Sequence, residues 1–289
     1  MKGVPTSIRN HISGPVAPRE SAALDCQTAF QRIAESCARL IQRSRKSAIA
    51  ADPEAIHTMR IELTRLRAAV LFFAPMTNDI GGSPISKELR WLNAALGAAR
   101  DHDVNMSYAR RKRYRSWAKR SRSSFLLSQS KSHRRLARKL NSARYHRLIV
   151  ELDHWITKGS WLSDAQPLRS ERVNGFSQVR LREWRREISR DGHRLRALSS
   201  KRLHRLRINC KRYRYIVAAL QALKVPLVEQ EAGFCDIARK VHGALGDLRD
   251  LRRLRNAGHG RPPGYRKRKQ KLLQEAERPF LRRSSEKRT

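Results

Sequence analysis

Histidine, arginine and lysine recur in this chain at intervals that fit one face of an α-helix. His57, Arg60, Thr64 and Arg67 stand at i, i+3, i+7 and i+10, and His204, Arg207, Lys211 and Arg214 have the same spacing. At about 100° per residue, each set falls within an arc of roughly 80°. Two further sets share the pattern: Arg90, Asn93, Gly97 and Arg100, then Arg239, His242, Gly246 and Arg249. Arg65 and Arg212 flank the first pair of stripes. A guanidinium presents a planar fork that matches phosphate oxygens two at a time. Imidazole adds a short-reach donor, and a glycine on the face lets a helix or an anion approach closely. The chemistry available is therefore the grip of a multiply charged phosphate ligand. One basic stripe is ordinarily a solvated helix face. Four stripes of repeated spacing, each holding residues of limited reach, argue for a built surface. Asp101 and Asp250 are expected to pair with nearby arginines and hold their forks in position.

Other chemistries find less support. The run Asp101-His102-Asp103 suggests a metal site, but its side chains diverge on a helix, and the second copy reads Asp250-Leu251-Arg252. A phosphoryl-accepting histidine wants a neutral, oriented ring. His57 and His204 stand among cations with no evident carboxylate to orient them, and no Walker loop is present. No catalytic residue, metal ligand or cofactor is assigned. The cysteines, Cys26, Cys37, Cys210 and Cys235, form no C-x-x-C pair and read as reduced, mostly buried thiols.

The stripes belong to a duplication. His57-Thr-Met-Arg60-Ile61 with Arg65 and Arg67 repeats at an offset of 147 residues as His204-Arg-Leu-Arg207-Ile208 with Arg212 and Arg214. Asp52 and Ser199, candidate helix caps, both sit five residues before their histidine. Leu96-Gly97-Ala-Ala-Arg100-Asp101 matches Leu245-Gly246-Asp-Leu-Arg249-Asp250 at an offset of 149. Two motifs in the same order at nearly the same offset imply a repeated helical unit.

The elements that must position these faces are all helical, and no convincing strand is found. Helices are expected from about Ser21 to Ala50, from Pro53 to near Pro75, from Ile85 to at least Ala109, and as one long helix from Ser132 to Ile156. Three more follow at about Gly175–Leu198, Lys201–Leu223 and Val228–Asn256. Residues 1–19, with three prolines and two glycines, read as a flexible tail. The repeated domain is placed at 20–257, its halves at about 20–165 and 170–257. A basic C-terminal segment at 258–289 has room for one helix at 265–280.

Composition bounds the partner. The 289 residues hold 64 Lys and Arg against 25 Asp and Glu, a formal net charge of +39. Such a charge opposes compaction and calls for a polyanion. The first twenty residues lack the apolar core of a secretory signal, and no stretch approaches the ~18 apolar residues of a membrane span. A cytoplasmic protein without membrane insertion is the expectation.

These motifs resemble the CHAD domain, the conserved-histidine α-helical domain. The resemblance rests on His57 to Arg67, on Arg90-Trp91-Leu92 leading into Leu96-Gly97 and Arg100-Asp101-His-Asp103-Val104, and on Leu203-His204 to Tyr215. It covers about residues 20–257. It implies two bundles of about four helices each, related by a pseudo-twofold axis, with a basic groove between them. It also implies binding of inorganic polyphosphate and, in some members, association with polyphosphate granules. Polyphosphate has no bases, so its site needs cations and donors without stacking platforms, and the stripes carry almost no aromatics. Two alternatives stand beside it. One is a nonspecific nucleic-acid-binding helical protein, with weak nucleic-acid binding expected through the tail. The other is a phosphate-transfer enzyme using a histidine. Bound polyanion is expected to protonate His57, His204 and His242 as pH falls.

Overall fold

The computed structural model describes residues 24–77, 82–110, 112–114, 116, 119, 122–163, 167–257 and 261–285. The segment read as an N-terminal tail, 1–19, lies outside the described residues. Nine long helices run among them: α1 Cys26–Arg43, α2 Pro53–Phe72, α3 Gly82–Arg110, α4 Arg122–Leu140, α5 Ala143–Lys158, α6 Val173–His193, α7 Ser200–Ala222, α8 Glu229–Ala257 and α9 Tyr265–Ser285. The described residues contain no β-strand, only one isolated bridge between Asp25 and Arg172. The fold is all-α, as the sequence predicts.

The helices of the two halves start alike. Asp52 caps α2 by accepting from the Glu54 amide at 2.9 Å, with Pro53 in the first turn. Ser199 caps α7 by accepting from the Arg202 amide at 3.3 Å. Satisfying these exposed amides fixes where each basic stripe begins. Below the stripes, α2 buries Ile56, Met59, Leu63 and Leu66, and α7 buries Leu203, Leu206, Cys210 and Tyr213 at the equivalent positions.

A pseudo-twofold relation shows in residues that meet their own counterparts. The Cys26 amide donates to the Glu171 carbonyl at 3.0 Å, and the Val173 amide donates to the Leu24 carbonyl at 2.9 Å. Both pairs are exchanged by the 147-residue offset, and reciprocal contact of equivalent positions is the mark of a dyad. Helix α2 packs on α7 near this axis, and α3 approaches α8. Aromatic rings close the seam: Phe73 stacks on Phe176 at 5.5 Å, and Phe72 meets Phe176 and Trp184 edge-on.

Several helix limits depart from the sequence reading: the helix expected from Ser21 to Ala50 ends at Arg43 and is followed by a short one at Arg45–Ile49, and that expected over Gly175–Leu198 ends at His193. The single helix expected over Ser132–Ile156 is divided at Asn141 and Ser142, where Ser142 accepts from the Tyr145 amide and starts α5. Its apolar stripe survives the break, since Leu136, Leu140, Leu148, Leu152 and Ile156 are all buried. The second bundle also continues past 257. Helix α9 packs on α8 and α6, burying Leu272, Ala276 and Phe280. Gly192 of α6 permits this, because a Cβ there would stand 2.3 Å from the Phe280 ring. Helix α9 thus closes the second bundle, a task α4 and α5 share in the first. No helix among the described residues is long and apolar enough to cross a membrane.

Candidate basic phosphate site

The stripes of α2 and α7 meet near the axis. Lys211 Nζ donates to Thr64 Oγ1 at 3.2 Å, a contact between equivalent positions of the two halves. Lys211 also lies over the Tyr215 ring at 5.2 Å. Burial first, then Arg60, Arg207, Arg214 and Arg249, push its pKa down to about 7. Burial likewise lowers the pKa of Arg60 and Arg207, with Arg249 the chief cationic contributor for each. Both guanidiniums leave a buried Nε–H without an acceptor in the protein. Arg207 lies over Gly246, where an added Cβ would stand at ordinary van der Waals distance, 3.5 Å from Arg207 Nε.

Helices α3 and α8 add arginines and the acids that hold them. Arg249 Nη2 donates to Asp101 Oδ2 at 3.0 Å, across the two halves. Arg253 Nη1 lies 2.7 Å from Asp101 Oδ1, and Arg253 Nη2 donates to Asp250. Asp101 and Asp250 therefore pin arginine forks from the same helix. Burial raises the Asp250 pKa against the pull of Arg253, Arg249 and Arg207. Two carboxylates do not balance the cations gathered here, and an anion would find unused donors on both sides.

The histidines serve as neutral groups. His242 is pushed down to about 3 by burial and then by Arg207, Arg214 and Lys211. Its Nδ1 stands 3.0 Å from Arg214 Nη1. A guanidinium can only donate, so Nδ1 accepts and the ring proton sits on Nε2. That Nε2–H is buried without an acceptor in the protein. The pKa values of His57 and His204 are also lowered, by burial first and then by nearby arginines. The expectation that bound anion protonates these rings near neutral pH must therefore overcome burial, most strongly at His242. Lys211 is the group poised to titrate there.

The remaining predicted residues fall into two groups. Arg67, Arg90 and Arg212 converge on a cleft of about 250 Å³ between α2, α3 and α7. The Arg67 pKa is lowered by burial, then by Arg212 and Arg90. Arg100 stands close enough to contribute to the lowering at His57. Arg65 and Arg239 have carboxylate partners of their own. Arg65 Nη1 donates to buried Glu62 at 3.0 and 2.9 Å, and Arg239 pairs at 2.9 Å with exposed Asp236. Asp103 turns from the site to accept from Gln129 at 2.8 Å and face His133 at 2.9 Å. Asp101 and Asp103 thus diverge, and no cluster of three metal-binding side chains occurs among the described residues.

Sequence reasoning missed Arg253. It lies three residues after Asp250, a spacing that puts it within reach of that acid but does not point to Asp101. It also missed Tyr215 and Glu62. The glutamate lies on the core side of α2, where its pairing with Arg65 makes burial tolerable.

No curated protein matches this chain significantly. Among solved structures, the chain is similar to the crystal structure of the CHAD domain from the plant Ricinus communis. The TM-score is 0.66 and the identity 25%, over 93% of this chain and 94% of that one. The CHAD domain family model matches residues 32–258. The chain belongs to the CHAD domain family.

Proposed function

We propose that this protein binds inorganic polyphosphate without transforming it, along the basic surface where the two halves meet. Family membership supports a function of the polyphosphate-binding type. One observation carries the finer reading: Arg60 and Arg207, equivalent residues of the two halves, hold buried Nε–H groups with no acceptor in the protein. Beside them stand Lys211, Arg249 and a neutral His242 with its proton directed to Nε2. An elongated anion along both stripes would pair with these side chains together, the buried Nε–H groups turning outward to meet it. Each stripe extends about 15 Å over ten residues, enough for several phosphate units.

Two features favour this ligand over duplex DNA. The central cations are half-buried beside the axis, where a thin chain fits more readily than a duplex. Arg249 and Arg253 beside them are fixed by Asp101 and Asp250, so binding costs these two little side-chain freedom. In the cytoplasm, this activity would place the protein on polyphosphate granules. The test is calorimetric titration with long-chain polyphosphate of the wild type and of the double variant Arg60→Ala, Arg207→Ala, with released phosphate followed in parallel. The expected result is tight binding, a large loss in the variant and no phosphate release. Unchanged affinity in the variant, or turnover by the wild type, contradicts the proposal.

A further inference from the structure

A second cleft, of about 430 Å³, adjoins the basic surface between α2, α6 and α7. Its floor is apolar, formed by Leu71, Ile208 and Trp184. Leu71 is 39% exposed there, and Trp184 is steadied by its edge-on contact with Phe72 at 5.4 Å. Lys201, Arg205 and Arg212 supply cations to its lining, and His204 a neutral imidazole. Leu71 and Arg212 also line the cleft that holds Arg67 and Arg90, so the two hollows adjoin. On the wall, Asn209 Nδ2 donates to Glu187 Oε1 at 3.0 Å. Both residues line the hollow, and the Asn209 carbonyl and the second Glu187 oxygen are acceptors that this hydrogen bond does not use.

Inorganic polyphosphate has no apolar group to set on this floor and is repelled by Glu187. A ligand that is flat and amino-bearing at one end and multiply charged at the other uses every part. We propose that the adjoining clefts bind a nucleoside polyphosphate, its base on Leu71, Ile208 and Trp184 and its phosphates running past Arg212 to Arg67 and Arg90. The acceptors of Asn209 and Glu187 suit the exocyclic amine of the base, and the combined volume falls in the range of small-ligand sites. The inference rests on the reading that this basic surface takes phosphate chains.

Calorimetry without divalent cations compares ATP with inorganic tripolyphosphate, in the wild type and in Leu71→Ser, whose exposed side chain can be shortened without opening the core. Stacking and apolar contact should make ATP the tighter ligand by about fivefold or more. Leu71→Ser should lose about fivefold for ATP and leave tripolyphosphate unchanged. ATP, but not tripolyphosphate, should quench tryptophan emission, and Trp184→Phe should abolish the quenching while keeping the ring packed on Phe72. Equal affinities, or equal losses in Leu71→Ser, overturn the nucleotide site while long-chain polyphosphate binding stands. An RNA oligonucleotide without a terminal triphosphate that binds more tightly than ATP overturns it in favour of a strand. Failure of long-chain polyphosphate to bind refutes the reading of the whole surface, independently of the ATP comparison.

Discussion

Lys211 should make polyphosphate affinity fall as pH rises above neutrality. In the free protein, burial and four surrounding arginines hold its pKa near about 7. Phosphates placed among those arginines reverse the local field and raise it toward or beyond the ordinary value of about 10.4. Because the bound-state pKa is the higher one, the contribution is fully present below the free-state value. It is lost as pH rises from there to the bound-state value. With a bound-state pKa of about 10, affinity should fall about five- to eightfold per pH unit between 7 and 9, for a total near ~80-fold from pH 6 to 9. His242, held near about 3, adds no slope in this window. The assay is calorimetry with long-chain polyphosphate at constant ionic strength, since its internal phosphates stay ionised throughout. Lys211→Arg keeps the charge at every pH used, because a guanidinium does not titrate there, and should flatten the profile. A flat wild-type profile from pH 7 to 9, or the same slope in Lys211→Arg, refutes the reasoning.

Three further outcomes follow from the same geometry. Lys211→Met removes a buried cation from among arginines, so it should raise Tm of the free protein near pH 6.5 while weakening polyphosphate binding, as thermal melts and titrations would show. Salt should weaken binding with a slope of log K against log salt on the order of −4 to −6 for six to eight phosphate contacts; a slope near zero would remove the arginine surface from the account. Phe280→Ala should destabilise the protein by about 3–5 kcal/mol in denaturant unfolding, because α9 is part of the second bundle, whereas a loss under 1 kcal/mol would make α9 an appendage.

Much of this site is legible in the chain because its chemistry is periodic and duplicated. The offset between His57 and His204 pairs the stripes, and the caps Asp52 and Ser199 fix their phase. What the chain conceals are contacts that periodicity does not encode. Arg253 has Val104 as its first-half counterpart, so the repeat gives no hint of it, yet it ties Asp101 to Asp250. Arg65 and Arg212 look equivalent, but the buried Glu62 has Asn209 as its counterpart, so one arginine is neutralised and the other remains on the cleft. Ser142 interrupts an unbroken apolar stripe by capping, which apolar spacing alone does not reveal. The role of α9 depends on Gly192, whose missing side chain receives Phe280 from far along the sequence.

The central claim is that a fixed site, rather than bulk charge, holds polyphosphate. Its most direct test compares two triple variants of equal charge loss, Arg207→Ala, Lys211→Ala, Arg214→Ala in the site and Arg266→Ala, Lys267→Ala, Lys271→Ala on the exposed face of α9. Competition titrations with long-chain polyphosphate and duplex DNA, at physiological salt and with helicity checked, read both. Each lost charge-assisted contact should cost about 1.5–3 kcal/mol. The site variant should therefore lose polyphosphate affinity far more than the α9 variant, while duplex DNA weakens similarly with both. Equal losses of polyphosphate affinity, or a larger loss in the α9 variant, would contradict the account.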